Sequence, residues 1–242
     1  MGTVSVHNDK FRSWAIDVFL NTSWVDNPDI PWFNDCLYKA ITEKYKANQD
    51  TPVIIGLCGN AGCGKDTVAS YFTSNYLRCT SLAFADPIRE IAQIFGFTKE
   101  QMSDRTLKET KDIFWGFSPR TFMQKVGTEM FREQLRDDIW IKLAERRIFN
   151  RIDKDEVRMV FITDVRFPNE VEAIRSWGGK IVKVHREGFD RVGKDLHPSE
   201  RFISEIKADL DIFNKASSRE EFQWAAAKSI GVWLKPNCFY NL

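Results

Sequence analysis

The rhythm of apolar positions changes at Pro52. Val53-Ile54-Ile55-Gly56-Leu57-Cys58 is a short unbroken apolar run, the mark of a strand buried on both faces, and a glycine-rich turn follows at once. Similar short runs predict strands at 81–84, 158–163, 180–184 and 209–213. Helical spacing, often opened by Asp, Ser or Pro, fills the intervals at 65–76, 87–95, 119–135, 138–150, 169–177 and 219–234. Strands alternating with helices predict an α/β fold, a mostly parallel five-stranded sheet covered by helices on both faces. Residues 1–50 read as an N-terminal helical extension, two helices interrupted at Pro28 and Pro31 and carrying Trp14, Phe19, Trp24 and Trp32. Those aromatics suit packing on the main domain, 51–242, or an interface with another chain such as a homodimer.

The turn after the first strand reads Gly59-Asn60-Ala61-Gly62-Cys63-Gly64-Lys65-Asp66-Thr67, which satisfies GxxxxGK between a strand and a helix. Glycines let successive backbone N–H groups face one anion, the helix N-terminus adds partial positive charge, and Lys65 reaches terminal phosphates. The expected ligand is a nucleoside triphosphate. The usual Ser or Thr after the lysine is replaced by Asp66, with the Thr67 hydroxyl one position later. Asp66 suits either of two roles, holding magnesium directly or through water, or facing an acceptor phosphate as a base. The competing reading, a plain glycine turn with Lys65 solvated, leaves the agreement of motif and setting unexplained.

A second strand, Val160 to Thr163, ends in Asp164, at the carboxyl edge where open α/β sheets bind ligands. A carboxylate there orients magnesium or its waters, or else caps the next helix. Arg166 and Glu170 follow, Glu170 being placed to hold Arg166, whose guanidinium would offset charge on a transferring phosphate unless it forms a plain surface ion pair. At about 100° per residue, the helix from Pro119 puts Phe122, Met123, Val126 and Met130 on a core face. Arg120, Gln124, Gly127 and Thr128 share the other face, a mixture suited to the close approach of a nucleotide. Arg132 and Trp140 lie just beyond, and Trp140 serves equally as a stacking surface or a core anchor.

Composition narrows the chemistry. Thirty-five basic against thirty-four acidic residues give net charge +1, without the single-sign blocks of a polynucleotide or membrane binder, so small phosphorylated ligands are expected. No apolar run reaches the roughly 20 residues of a bilayer span, and a cytoplasmic protein is expected. Five cysteines without a CxxC pair suggest reduced thiols, and three scattered histidines argue against a transition-metal site. Any metal is expected to be magnesium (Mg2+) arriving with ATP.

Together GNAGCGKDT, FADPIRE, SPRTFMQKVGTEMFR with DDIW, and TDVRFPNEVEAIRSWGGKIVKVHRE resemble the bacteriophage deoxynucleoside monophosphate kinases over most of residues 52–215. The resemblance implies a nucleoside-monophosphate-kinase-like fold, transfer from ATP to a deoxynucleotide with magnesium, and a place in the host cytoplasm supplying DNA precursors. It implicates Lys65, Asp66 and Thr67 in the phosphate loop, and Arg120, Gln124, Gly127, Thr128 and Trp140 around the acceptor. Asp164, Arg166 and Glu170 fall near the transferring phosphate, and Asp86 and Arg89 match a segment that meets substrate in related small-molecule kinases. Arg186 is expected to stack on adenine or touch phosphate, and the glycine-interrupted stretch 186–201 to be either a closing lid or a solvated loop. Two rivals remain: a dephospho-coenzyme A kinase, whose hydroxyl acceptor would favour a base over added arginines, and a non-catalytic nucleotide-binding assembly or regulatory protein. Turnover separates them.

Overall fold

The structure, a computed structural model, describes residues 52–188 and 202–234. The expectations for the 1–50 extension and for the stretch 189–201 lie outside the described residues.

Five parallel strands, β1 (Val53–Cys58), β2 (Cys79–Leu82), β3 (Met159–Val165), β4 (Lys180–Arg186) and β5 (Leu210–Asn214), form one sheet in the order β2-β3-β1-β4-β5. The α/β class read from the sequence is therefore the observed one. Among the described residues seven α-helices accompany it: α1 (Lys65–Asn75), α2 (Asp86–Ile94), α3 (Lys99–Ser103), α4 (Pro119–Gln124), α5 (Ile139–Lys154), α6 (Pro168–Ser176) and α7 (Arg219–Leu234). Because successive side chains of a strand alternate faces, β1 feeds two cores. Ile54 and Cys58 join Leu82, Ile88, Phe122, Trp140, Ile148 and Ile174 on the side of α2, α4, α5 and α6. Ile55 and Leu57 join Val68, Phe72, Phe161, Val182, Phe222 and Ile230 beneath α1 and α7. With β1 central, the chain runs outward on both sides of it, which makes its carboxyl end the switch point where such sheets bind ligands.

Three departures from the pattern have physical causes. β2 begins and ends two residues earlier than the apolar run predicts. The Ala83 N–H donates to Asp86 Oδ2 at 2.7 Å and the Phe84 N–H to Asp164 Oδ1 at 2.7 Å, which takes both amides away from the ladder. Helix α3 was not anticipated, although Thr98 and Gln101 form a capping box that announces it. The expected single helix at 119–135 is α-helical only to Gln124 and continues as a π-helix over Lys125–Arg132. Its wider turn shifts the phase of the apolar stripe, so that Phe122 and Val126 are buried as expected while Met130, assigned to the core face, is 53% exposed.

Candidate active site

The phosphate loop leaves β1 through Gly59 at φ 138° and enters α1 through Gly64 at φ 113°, with Gly62 at φ 83° between them. These are left-handed conformations that glycine adopts without strain. Space adds its own demand: a Cβ on Gly59 would lie 2.3 Å from the Val184 carbonyl oxygen, and one on Gly64 2.5 Å from the Phe222 ring. Lys65 folds back over the loop, its Nζ donating to the carbonyls of Gly59 at 2.7 Å and Asn60 at 2.9 Å. Cys63 is buried and its amide donates to the Asn60 carbonyl, so its side chain serves packing, whereas Ala61 and Gly62 stand exposed on the outer turn.

A cavity of about 350 Å³ opens on this loop, lined by Gly62, Gly64, Lys65, Asp66, Thr67, Arg186, Asn214, Ala216, Ser217, Ser218, Arg219 and Phe222. Arg186 Nη1 donates to the Gly62 carbonyl at 3.3 Å, placing it at the loop where the sequence put it. Asn214 and Arg219 had no motif to announce them. Asn214 ends β5 and its Nδ2 donates to the Cys63 carbonyl at 3.0 Å, while Arg219 opens α7 and donates to Ser70 Oγ at 3.3 Å.

On the other side of β1 the register with β3 slips by one residue between Gly56 and Cys58, so that Cys58 pairs with Val165. A bulge of this kind re-aims a side chain. Here the Asp164 carboxylate accepts the amides of Phe84 at 2.7 Å and Ala85 at 3.0 Å, and thereby ties the end of β3 to the start of α2. The carboxylate is thus spent on two amides just before α2 rather than on capping the next helix, the alternative that the sequence left open. Asp86 turns back on Ala83 and pairs with Arg89 at 2.7 Å. Arg120 pairs with Glu109, and its backbone N–H donates to the Lys108 carbonyl at 3.0 Å. The guanidiniums of Arg120, Arg89 and Arg166 all act electrostatically on Lys108, so the arginine expected at the acceptor, the one expected beside the transferring phosphate and the one in the substrate-meeting segment share a neighbourhood. Gln124 and Thr128 are half-buried on the helix behind Arg120.

Four residues expected to touch the acceptor are engaged elsewhere. Trp140 is 3% exposed, packs on Phe131 with the two rings tilted by 46° and donates its indole N–H to the Gly127 carbonyl at 2.8 Å, so it is the core anchor. Gly127 itself is buried against α2, where an added Cβ would meet Ile88 Cδ1 at 2.7 Å. Glu170 accepts the backbone amides of Arg166 at 2.8 Å and Phe167 at 3.1 Å and pairs with the Arg132 guanidinium. It thus holds the Arg166 backbone in place. Burial raises the Glu170 carboxyl to about 7, against the pull of Arg132 and of the two amides. Arg132 in turn lies 4.1 Å over the Phe167 ring. This buried pair stiffens the segment that carries Arg166 and is closed to a substrate.

Among the described residues no helix is long and apolar enough to cross a membrane, and Cys58, Cys63 and Cys79 are free thiols. A dephospho-CoA kinase from Campylobacter jejuni overlays with a TM-score of 0.40 at 18% identity, over 76% of this chain and 98% of that one. A candidate deoxynucleotide monophosphate kinase of Acanthamoeba polyphaga mimivirus is 36% identical over 180 residues, which is 69% of this chain and 91% of the relative. The deoxynucleoside-5'-monophosphate kinase of Escherichia phage T5 is 30% identical over 228 residues, covering 67% of this chain and 90% of its own length. The family model described as deoxynucleotide monophosphate kinase matches residues 92–223, a span that takes in Arg120, Asp164, Arg166 and the entry to α7. On that match and those relatives, the chain belongs to the deoxynucleotide monophosphate kinases.

Proposed function

We propose that the chain transfers the γ-phosphate of ATP, bound with magnesium at the glycine loop, to the phosphate of a deoxynucleoside monophosphate held by Arg89, Arg120 and Arg166. Family membership makes it an enzyme that phosphorylates deoxynucleoside monophosphates. The observation that supports this division of labour is that Arg89, Arg120 and Arg166 share one electrostatic neighbourhood, that of Lys108, while none of the three lines the cavity on the phosphate loop. Such transfer needs little covalent help from protein, and positioning with charge neutralisation supplies most of the rate.

In this reading the donor's nucleoside occupies the cavity beside Arg186 and Asn214, and its phosphates lie over the loop amides. Lys65 exchanges its two carbonyl partners for phosphate oxygens. The donor set suits magnesium, whose sites take one or two hard carboxylate or hydroxyl oxygens and complete the shell with phosphate and water. Asp66 and Thr67, both lining the cavity, would hold it, and Asp164 would orient its waters while clamping α2. Bound there, the ion would neutralise charge on the β and γ oxygens. An acceptor phosphate is already anionic, so no side chain is assigned as a general base. Arg120 and Arg166 draw the two phosphates together and offset the charge that develops between them.

The test is an assay of the full chain with ATP, magnesium and each deoxynucleoside monophosphate, with dephospho-coenzyme A as a separate acceptor. Formation of ADP with a deoxynucleoside diphosphate is expected. ADP released without a phosphorylated acceptor, or phosphorylation of the coenzyme precursor alone, would overturn the proposal.

A further inference from the structure

Two helices open on the cavity of the phosphate loop: Lys65, Asp66 and Thr67 come from the first turn of α1, and Arg219, preceded by Ser217 and Ser218, from the first turn of α7. Both N-termini carry partial positive charge, which favours an anion and disfavours a cation. Three cations, Lys65, Arg186 and Arg219, nevertheless line the cavity against one carboxylate, Asp66. Glu221, in the same turn as Arg219, is spent on Ser217, whose amide and hydroxyl both donate to its Oε2 at 2.8 Å. Among the described residues Arg219 pairs with no carboxylate, and its Nη2 donates to the neutral Ser70 Oγ at 3.3 Å. Ser70 is satisfied without it, donating to the Thr67 carbonyl at 2.9 Å and accepting from Gln223 Nε2 at 3.1 Å. One long, replaceable hydrogen bond thus holds a guanidinium beside a cavity that favours anions.

Resting on the donor reading above, we infer that Arg219 is a ligand of the donor's α-phosphate, the phosphate next to the nucleoside. Position selects that phosphate. In the donor reading Lys65 takes the terminal phosphates and the nucleoside lies beside Arg186 and Asn214, so the α-phosphate falls where the loop passes into α1, at Thr67. Ser70, on which Arg219 rests, is three residues further on, about 4.5 Å along the helix axis. A long side chain spans that difference by rotating about its own bonds, exchanging the Ser70 hydroxyl for two phosphate oxygens in the bidentate geometry that a planar fork favours. The α-phosphate takes no part in bond making or breaking. Its contact is equally strong before, during and after transfer, so Arg219 serves the affinity for ATP and for ADP and leaves the chemical step alone.

The experiment compares the full-length wild type with Arg219→Gln and Arg219→Lys in two-substrate kinetics, calorimetry with ADP, inhibition by inorganic tripolyphosphate and thermal melting. Arg219→Gln is expected to raise the KM for ATP and the Kd for ADP by the same factor, about five- to tenfold, the size of one charge-assisted hydrogen bond in a solvent-open cleft. Both kcat and the acceptor KM should stay within about twofold. Tm should hold or rise, because Ser70 keeps two partners and a cation leaves a helix N-terminus. Arg219→Lys, which keeps the charge without the fork, should recover part of the affinity. Tripolyphosphate carries no base, so weaker inhibition of Arg219→Gln by that same factor supports a phosphate contact. Unchanged tripolyphosphate inhibition with a raised KM for ATP would put Arg219 against the base and overturn the inference, as would an unchanged KM for ATP or a fall in kcat. A wild type that binds neither ADP nor tripolyphosphate removes the donor reading itself, whereas wild-type binding matched by Arg219→Gln removes Arg219 alone.

Discussion

Glu170 and Arg132 face each other at side-chain exposures of 3% and 10%, and neither has water to fall back on. Breaking such a pair from one side leaves a buried charge uncompensated, so Glu170→Ala is expected to cost about 3–5 kcal/mol in urea unfolding. Turnover should fall as well, because the Arg166 amide loses its anchor on Glu170 Oε2. Arg166→Ala should behave in the opposite way, with turnover falling by about a hundred- to a thousandfold while the unfolding midpoint hardly moves. Equal losses of stability and turnover in Arg166→Ala would make it a structural ion-pair member. Glu170 was legible in the sequence as a partner for the DVRFPNE segment. Its actual guanidinium partner, Arg132, stands 38 residues away, and no local spacing could have named it.

At the scale of elements, the π-helical segment Lys125–Arg132 does what an ordinary helix could not. It brings the Gly127 backbone against Ile88 of α2 and turns its carbonyl toward the Trp140 indole. Ile88 is the neighbour of Arg89, so the packing distance between these two helices also sets where that guanidinium stands. Gly127→Ala is expected to destabilise by about 1–3 kcal/mol through overpacking, measured by chemical denaturation. The same variant should raise the KM for the deoxynucleotide and leave that for ATP unchanged. A melt shifted without any change in acceptor KM would separate this contact from the site. The amphipathic pattern of 119–135 was enough to announce a helix. Where the winding widens depends on Ile88 and Trp140, which belong to other elements, and the pattern therefore placed Met130 on the wrong face.

At the scale of the molecule, β1 divides two cores and, in the proposed function, two ligands. Arg186, Asn214 and Arg219 gather on the β4 and β5 side around the donor cavity, while Asp164, Arg166, Asp86 and Arg89 gather on the β3 and β2 side. Variants should sort by side. Asn214→Ala, which loses a neutral hydrogen bond to the phosphate loop, is expected to raise the KM for ATP by about fivefold and leave the acceptor KM alone. Arg120→Ala should show the mirror image, with a larger change because a charge is lost. A crossed pattern in either variant would contradict the partition.

Whatever is local along the chain was legible in the order of its residues. The strand Val53–Cys58, the glycine loop and α1 are contiguous, so the spacing of glycines and of Lys65 dictates their conformation and their affinity for phosphate. Asp164 and Arg166 were legible for the same reason, standing at the end of an apolar strand. The fold decided which distant groups meet: Asn214 with a carbonyl 151 residues away, Asp164 with the two amides just before α2, and Glu170 with a guanidinium 38 residues away. Such meetings follow from how helices seat on the sheet, and a residue's neighbours in sequence carry no record of them.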